Sequence, residues 1–522
     1  MGHTQPLAPT TDTSSRTPLM ELLVLAAPVA ATMVSYTIAQ FVDGLMVSRL
    51  GAAELAAQGN GGIIAFVPIA ITLGALSVVN TYVSQNSGAG RPERAPMYAW
   101  NGVWLGVLFW LIVLVPAALC LRWLLVAGPS LTLDAAGLLG MTFERDAYDP
   151  RVFELQTSYA RILLLGAVFT ISARAIAQFF YGMHAPMTVF VAALCGNIVN
   201  VVVNYALIFG NFGMPQLGVV GAAIGTVIGS MVEAAIPMAI FLGPAMHRKF
   251  KTRSAWRPRL APMRDILKIG WPAGVTLGNE LVCWAIFMTA ILASIGVADN
   301  AAGWIGLRYM HLSFMPAVGI SIAVTAMVGK CIGMGRPDLA VKRAWLGVRV
   351  SIVYMGFCAA CFVIFREPMV RLFIDPNAPP EMAEDILRIG SQIMICAALF
   401  QIFDALGITL VGALRGAGDT VWPGVATVIM AWTFIIGGGW AMLALFPDLR
   451  ALGPWIAAAA FITVFAGVMA FRFMGGRWRS IDLLNTGGPD APPPTDGPAA
   501  AILGSVAGSE PVRGPGGPGE GV

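Results

Sequence analysis

Three carboxylates stand inside runs of the chain that are otherwise apolar: Asp43 in Phe41-Val42-Asp43-Gly44, Glu280 in Leu277-Gly278-Asn279-Glu280-Leu281-Val282, and Asp404 in Gln401-Ile402-Phe403-Asp404-Ala405-Leu406. A charge in lipid is expensive, so each is expected to face a cavity and to have a task. Loss of water penalises the ionised form of a carboxyl group. Such a group can load a proton or a cation on one side and release it on the other, and while ionised it attracts a cationic, partly apolar molecule. Competition between ion and molecule for one carboxylate is the least machinery that can exchange them. Glu280 is the clearest of the three, eight residues after Pro272, and Asp404 is equally interior. Asp43 lies nearer the end of its run, where reaching out to water is the competing reading. For Glu280 and Asp404 the competing reading is a buried pair with Arg174 or Arg308, or a bond to Asn279.

Neutral polar groups accompany them: Gln40, Asn80, Gln178, and the series Asn197, Asn200 and Asn204. Asn197 and Asn200 are three apart and Asn200 and Asn204 four, which puts all three on one helix face. A polar face on a membrane helix should look into the bundle, where amides commonly tie helices together. Gln40, Asn197, Asn200, Asn279 and Arg308 are the candidates for lining a substrate cavity. Cys358 and Cys361 have a redox or metal spacing, but no histidine or second pair joins them, so they read as small buried residues. The four histidines, at positions 3, 184, 247 and 311, are scattered. No resident metal or cofactor is expected, apart from a coupling Na⁺ or H⁺ at Glu280 and Asp404. Gly416-Ala417-Gly418-Asp419 has the spacing of the GxGD of intramembrane aspartyl proteases. With Arg415 before it and Pro423 after it, it reads as a turn, and no enzyme is expected.

These residues must be held by elements that survive in lipid. The 522 residues are 57% hydrophobic and 11% charged, whereas soluble domains carry about 25% charged residues, so a water-facing surface of ordinary size cannot be built. Apolar runs of about 20 residues recur, enough to cross a hydrocarbon core about 30 Å thick. Only helices and closed barrels satisfy their own backbone there. The run Trp104 to Leu121 lacks the alternation of a barrel strand. The pattern predicts twelve transmembrane helices, at 20–47, 56–86, 97–126, 152–181, 187–210, 219–243, 264–294, 300–331, 341–365, 383–413, 421–445 and 453–474. The net charge is only +4 with no basic stripe, so nucleic acid is not an expected partner. Residues 1–18 lack the pattern of a cleaved leader, and the first apolar run reads as a retained helix.

Lys and Arg collect in the central loop from Arg248 to Arg259, around Arg91 and Arg94, around Arg336, Lys342 and Arg343, and from Arg472 to Arg479. The positive-inside rule puts these loops, and both termini, in the cytoplasm. The expected organisation is an N-terminal tail (1–18), a six-helix lobe (19–245), a basic linker (246–262), a second six-helix lobe (263–478) and a disordered tail (479–522) rich in Gly and Pro. The lobes read as a duplication. Gly88-Ala89-Gly90-Arg91-Pro92 returns as Gly333-Met334-Gly335-Arg336-Pro337, and Leu50-Gly51 as Ile295-Gly296, both 245 residues on; Pro18 and Pro28 return as Pro262 and Pro272, 244 on. Six crossings separate equivalent points, so the repeats share one orientation about an axis along the membrane normal. Asp43 and Glu280 have no acidic counterparts at that offset, which weights the expected ion coupling toward the second lobe. The outer loop 128–150 has no functional reading.

The order and spacing of several motifs resemble the multidrug and toxic compound extrusion (MATE) family over roughly residues 19–474. They are Phe41-Val42-Asp43-Gly44 through Arg49-Leu50-Gly51, the two Gly-x-Gly-Arg-Pro loops, and Gly196-Asn197-Ile198-Val199-Asn200 with Asn204-Tyr205. Leu307-Arg308 before Phe314-Met315-Pro316 and Leu414-Arg415-Gly416-Ala417-Gly418-Asp419 complete the set. The resemblance implies an all-α, MATE-like fold of two pseudo-symmetric six-helix bundles that exports cationic or polyaromatic compounds against Na⁺ or H⁺ entry. Its NorM-like branch implies ion-coupling roles for Glu280, Asp404 and Asp43. The chain departs from the family pattern at Ala302-Gly303-Trp304 and at Tyr181-Gly182-Met183-His184, which lacks the arginine of Arg415-Gly416.

The expected function is a secondary antiporter of small organic molecules, monomeric, in a bacterial inner membrane. Two other readings compete: a flippase for lipid-linked precursors, which would want a cationic cavity, and a membrane receptor that binds without counterflow.

Overall fold

The computed structural model describes residues 17–125, 149–374 and 379–484. The expectations for the first tail, for most of the outer loop 128–150 and for most of the second tail fall outside them. Among the described residues, twelve helices have the length and apolarity to cross a membrane: α1 Pro18–Ser48, α2 Ala52–Gly88, α3 Pro92–Leu125, α4 Pro150–Gly182, α5 Pro186–Phe209, α6 Val219–Leu242, α7 Leu260–Leu292, α8 Val297–Gly333, α9 Pro337–Ile364, α10 Pro380–Ala417, α11 Val421–Leu445 and α12 Leu452–Met474. Each predicted helix is present, most of them a few residues longer than its apolar run. Proline supplies the starts of α1, α3, α4, α5, α9 and α10, where its missing N–H costs nothing and its fixed φ suits a first turn. The Thr17 side chain accepts from the Met20 amide and that of Asp149 from the Arg151 amide, capping α1 and α4.

The duplication is written into the backbone. At the end of α2 the Arg91 amide donates to the Asn86 carbonyl at 2.9 Å, and at the end of α8 the Arg336 amide donates to the Cys331 carbonyl at 2.9 Å. Both turns pass through a glycine in the left-handed region, Gly90 (φ 71°) and Gly335 (φ 68°), where a side chain is disfavoured. The Thr32 hydroxyl donates to the Pro28 carbonyl at 2.8 Å, and Thr276 to Pro272 at 2.7 Å.

The repeats meet through small residues. A Cβ on Gly74 of α2 would stand 2.6 Å from the Ala273 oxygen of α7, and one on Gly319 of α8 would stand 2.6 Å from the Ala30 nitrogen of α1. Gly74 and Gly319 are equivalent positions, so α2 on α7 and α8 on α1 are one contact made twice. Near their ends α2 and α8 also cross, with Gly88 against the Lys330 backbone and Gly333 against that of Gln85.

The expected linker 246–262 is partly helical, with a short turn at Pro244–Phe250, and α7 starts at Leu260 inside it. Its backbone is pinned to α3: the Trp100 and Trp104 indoles donate to the Thr252 and Trp256 carbonyls at 2.9 and 2.7 Å. The Arg259 amide donates to Asn101 Oδ1 at 2.8 Å. At the other end of the expected second lobe, Trp478 is fully buried, and the compact unit that holds all twelve helices runs on to Ile481. The Gly416–Asp419 motif is a turn: Gly418 caps α10 with φ 93° and Asp419 accepts from Arg472 at 2.7 Å.

Candidate functional site

In the first lobe the polar face of α5 lies along α1. Asn204 Nδ2 donates to Asp43 Oδ1 at 2.7 Å. Asn200, with its amide nitrogen turned toward the same oxygen, donates at 2.9 Å while its own oxygen accepts from the Thr226 amide at 3.2 Å. Asn197 Nδ2 donates to Ser35 Oγ at 3.1 Å. Among the described residues Asp43, half-buried, thus receives two amide donors and no cation. Glycines on α6 bring it close to α5, Gly229 against Asn200 and Gly225 against Asn204.

A second carboxylate sits in the same lobe, and sequence reading missed it. Glu233 of α6 accepts a hydrogen bond from the Tyr36 hydroxyl of α1. Tyr36 and Asp43 are seven residues apart, so they share a face about 10 Å apart along the axis. The Arg174 guanidinium of α4 lies over the Tyr36 ring, 5.7 Å from its centroid, within electrostatic reach of Glu233 and of Tyr181. Arg174 therefore does not pair with Glu280 or Asp404. The available signal was a lone acid fourteen residues into the apolar run that begins at Val219.

In the second lobe Glu280 of α7 and Asp404 of α10 are each half-buried and close enough for the charge of one to act on the other. Among the described residues, neither has a hydrogen-bond or ion-pair partner. Beside them Asn279 accepts from the Trp432 indole at 2.7 Å through Oδ1. Trp432 lies in a π-helical stretch, Ala431–Gly437, and α7 ends in another, Phe287–Leu292. Such widened turns often occur at functional sites. Buried Gln401, one turn before Asp404, donates to Ser313 of α8 at 2.8 Å.

The remaining candidates lie apart. Gln40 is exposed on α1. Arg308 is exposed on α8, its guanidinium 5.6 Å from the centre of the Phe373 ring. It pairs with neither Glu280 nor Asp404.

Hydrogen bonds and ion pairs between the repeats gather, among the described residues, at the end that carries the basic linker. Thr81 donates to the Arg415 carbonyl at 2.8 Å, Gln85 to the Gly416 carbonyl at 2.9 Å, and Tyr82 to the Asp265 carbonyl at 3.0 Å. Arg343 of α9 pairs with Glu21 of α1 at 2.7 Å. At the far end the ion pairs stay within a repeat, Arg151 with Glu54 and Arg450 with Asp299. Glu54 and Asp299 are equivalent positions. Asp299, fully buried, and Asp385 hold the Arg450 guanidinium above its usual range. Among the described residues no cluster of three His, Cys, Asp or Glu side chains could hold a metal ion.

The MatE family model matches residues 28–206 and 277–438. The chain is 30% identical over 449 residues to the multidrug resistance protein NorM of Burkholderia vietnamiensis, across 86% of this chain and 92% of that one. Among solved structures it is similar to a multidrug resistance MATE family transporter of the MOP superfamily in its outward-facing conformation, with a TM-score of 0.76 and 19% identity over 91% of this chain and 100% of that one. It is also similar to a MOP superfamily transporter from Pyrococcus furiosus, with a TM-score of 0.76 and 20% identity over 90% of this chain and 98% of that one.

Proposed function

The chain belongs to the MatE family, in its NorM-like branch, as a multi-pass membrane protein of the multidrug efflux class, and from that premise we propose that it exports organic cations or polyaromatic compounds in exchange for Na⁺ or H⁺. The observation that carries this reading is the Glu280–Asp404 pair: two interacting carboxylates inside a helix bundle with no partner among the described residues to neutralise either. Neutralisation by a proton or by Na⁺ removes their mutual repulsion, and a bound organic cation does the same. Occupancy by ion and by substrate is then mutually exclusive, which is what exchange requires.

Asp43, already supplied with two amide donors, is a weaker competitor for a cation and is assigned a tuning role in the first lobe. Asn197, Asn200 and Asn279 are assigned to the cavity walls. Gln40 and Arg308, both exposed, have the least support as cavity residues.

The lobes 19–245 and 263–478 are the bodies expected to move against each other. The basic residues Arg248, Lys249, Lys251 and Arg253 support a cytoplasmic location for the sealed end and for both termini, in a bacterial inner membrane. Sealing at that end makes the described state outward-facing. The protein is proposed to work as a monomer with no cofactor beyond the coupling ion.

The test is efflux of a fluorescent organic cation from proteoliposomes under imposed Na⁺ or H⁺ gradients. Wild type should respond to at least one gradient. Glu280→Gln and Asp404→Asn should each slow gradient-driven efflux about tenfold or more. If both variants match wild type, the assignment of the ion site is wrong. If no gradient moves any organic cation, exchange itself is wrong.

A further inference from the structure

Between Pro244 and Lys268 the chain carries eight lysines and arginines and one acid, Asp265. All eight cations are exposed, and among the described residues none of them lies in an ion pair. Other cations at this end are matched within the protein: Arg343 by Glu21, Arg472 by Asp419 and Arg336 by Asp338. Asp265 is turned to α3, where its carboxylate accepts from the Tyr98 hydroxyl at 3.5 Å. Arg253 donates to the Leu242 carbonyl at 2.7 Å and Arg259 to Met97 Sδ at 3.7 Å. Arg248, Lys249, Lys251 and Arg257 have no such acceptor among the described residues. The turn Pro244–Phe250 also packs against Pro92–Arg94, which adds the exposed Arg91 and Arg94 to the same patch. A surface this rich in cations and this poor in acids draws an anion from outside the chain.

The depth of the patch decides which anion. The 34 residues of α3 rise about 51 Å, against a hydrocarbon core about 30 Å thick. Shared evenly, the excess puts the edge of the hydrocarbon about 10 Å from Pro92. Trp100 and Trp104, whose indoles hold the Thr252 and Trp256 carbonyls, lie about 12 and 18 Å along α3 from that end. The linker therefore runs along the boundary between headgroups and acyl chains. There it presents two large apolar side chains, Trp256 at 51% exposure and Leu260 at 85%, with cations on either side of them. Tryptophan suits that boundary, and lysine and arginine suit the layer just outside it.

We propose that the joint between the repeats is a binding surface for anionic phospholipid, with headgroup phosphates on Arg248, Lys249, Lys251 and Arg257 and acyl chains against Trp256 and Leu260. A soluble polyanion would meet the cations but leave both apolar side chains in water, whereas an acidic lipid brings a phosphate and a hydrocarbon chain side by side. Lipid held here bears on neither the exported molecule nor the coupling ion.

The test is quenching of tryptophan fluorescence by phosphatidylglycerol or phosphatidylcholine with brominated acyl chains, for the full chain in vesicles of each composition. Every protein is measured with and without Trp256→Phe, so that the difference reports that one indole. The Trp256 signal should be quenched by both lipids, and at equal mole fraction more by phosphatidylglycerol. Replacing Arg248, Lys249, Lys251 and Arg257 together by Gln should lower that preference about tenfold or more, each cation near the surface contributing about fivefold. Arg477→Gln with Arg479→Gln should leave it unchanged. Raising the salt should weaken the preference in wild type, a measurement that needs no charge variant to fold. A Trp256 signal untouched by brominated chains overturns the proposal, as does equal quenching by the two lipids in wild type or an unchanged preference in the fourfold variant. Loss of the preference to soluble glycerol phosphate or to a short DNA duplex, beyond the effect of sodium chloride at the same ionic strength, would give the patch to a free phosphate or to nucleic acid and overturn it too.

Discussion

Gly88 of α2 lies directly on the backbone of Lys330 in α8, and Gly333 lies in the same way on Gln85. The two contacts exchange when 245 is added to or taken from each number, so they straddle the axis that relates the repeats. A methyl group at either glycine meets a carbonyl, and backbone cannot step aside as a flexible side chain could. Gly88→Ala and Gly333→Ala should each lower stability in detergent by about 1–3 kcal/mol, read as a drop in melting temperature. The two drops should be similar. A large effect at one glycine and none at the other would contradict the shared axis.

The pair of Glu21 and Arg343, 2.7 Å apart and with about a fifth of each side chain exposed, joins α1 to α9 across the repeats. In the exchange cycle proposed above the repeats part at this end, which breaks the pair. Removing one partner, as in Glu21→Gln or Arg343→Gln, should destabilise the sealed form by about 1 kcal/mol, between the values for exposed and fully buried pairs. The exchanged pair Glu21→Arg with Arg343→Glu should recover most of that loss. A double-mutant cycle on melting temperature checks it, and simple additivity would remove the latch.

Asp299 is fully buried at the start of α8, accepting from the Arg450 guanidinium at 2.6 Å and from the Ala451 amide at 3.1 Å. Arg450→Ala leaves that charge with one donor and no cation. The cost should be about 3–5 kcal/mol, seen as a lowered yield of folded protein and a lowered melting temperature. Asp299→Asn in the same chain should restore part of it, because the buried charge is then gone.

His184, in the turn between α4 and α5, has a backbone φ of 60°. Its Nδ1 faces the Gly182 carbonyl at 3.2 Å and its Nε2 is buried without a partner. Burial first, and the nearby charge of Lys330 second, push the imidazole down to about 4. A folded value below the usual 6.5 means that the unfolded chain binds the proton first. Stability should therefore be full above about pH 6.5, fall as the pH drops toward about 4, and level off below it, losing at most about 3 kcal/mol. His184→Asn, which tolerates a left-handed backbone, should flatten that slope. Melting temperatures of the two proteins between pH 7 and 4 settle the matter.

Much of the architecture was legible because lipid imposes a length and a polarity on each crossing. All twelve helices lie within a few residues of their apolar runs, and the Gly90 and Gly335 turns follow the repeated motif. The partners of the buried charges were not legible. Arg174 and Glu233 lie in different apolar runs, and no periodicity in α4 or α6 says which neighbour each will face. Glycine-rich α6 is apolar on nearly every side, so its single acid gives no stripe from which a direction could be read. The first lobe also holds more acid than its sequence suggested: Glu233 joins Asp43 there, as Asp404 joins Glu280 in the second lobe. The lobes differ in how those groups are held. Glu233 and Asp43 have donors from the protein, whereas Glu280 and Asp404 have none among the described residues.

The segment that joins the repeats is fastened to α3 through Trp100, Asn101 and Trp104, and only beyond Arg259 does the chain enter α7. The one covalent crossing therefore belongs physically to the first repeat, and the point at which the backbone could be cut with least disturbance lies just before Leu260. Severed there, the protein becomes two polypeptides of six helices each, still apposed through the same small residues. Co-expression of such fragments, without any tether, is the arrangement that this joint leaves open.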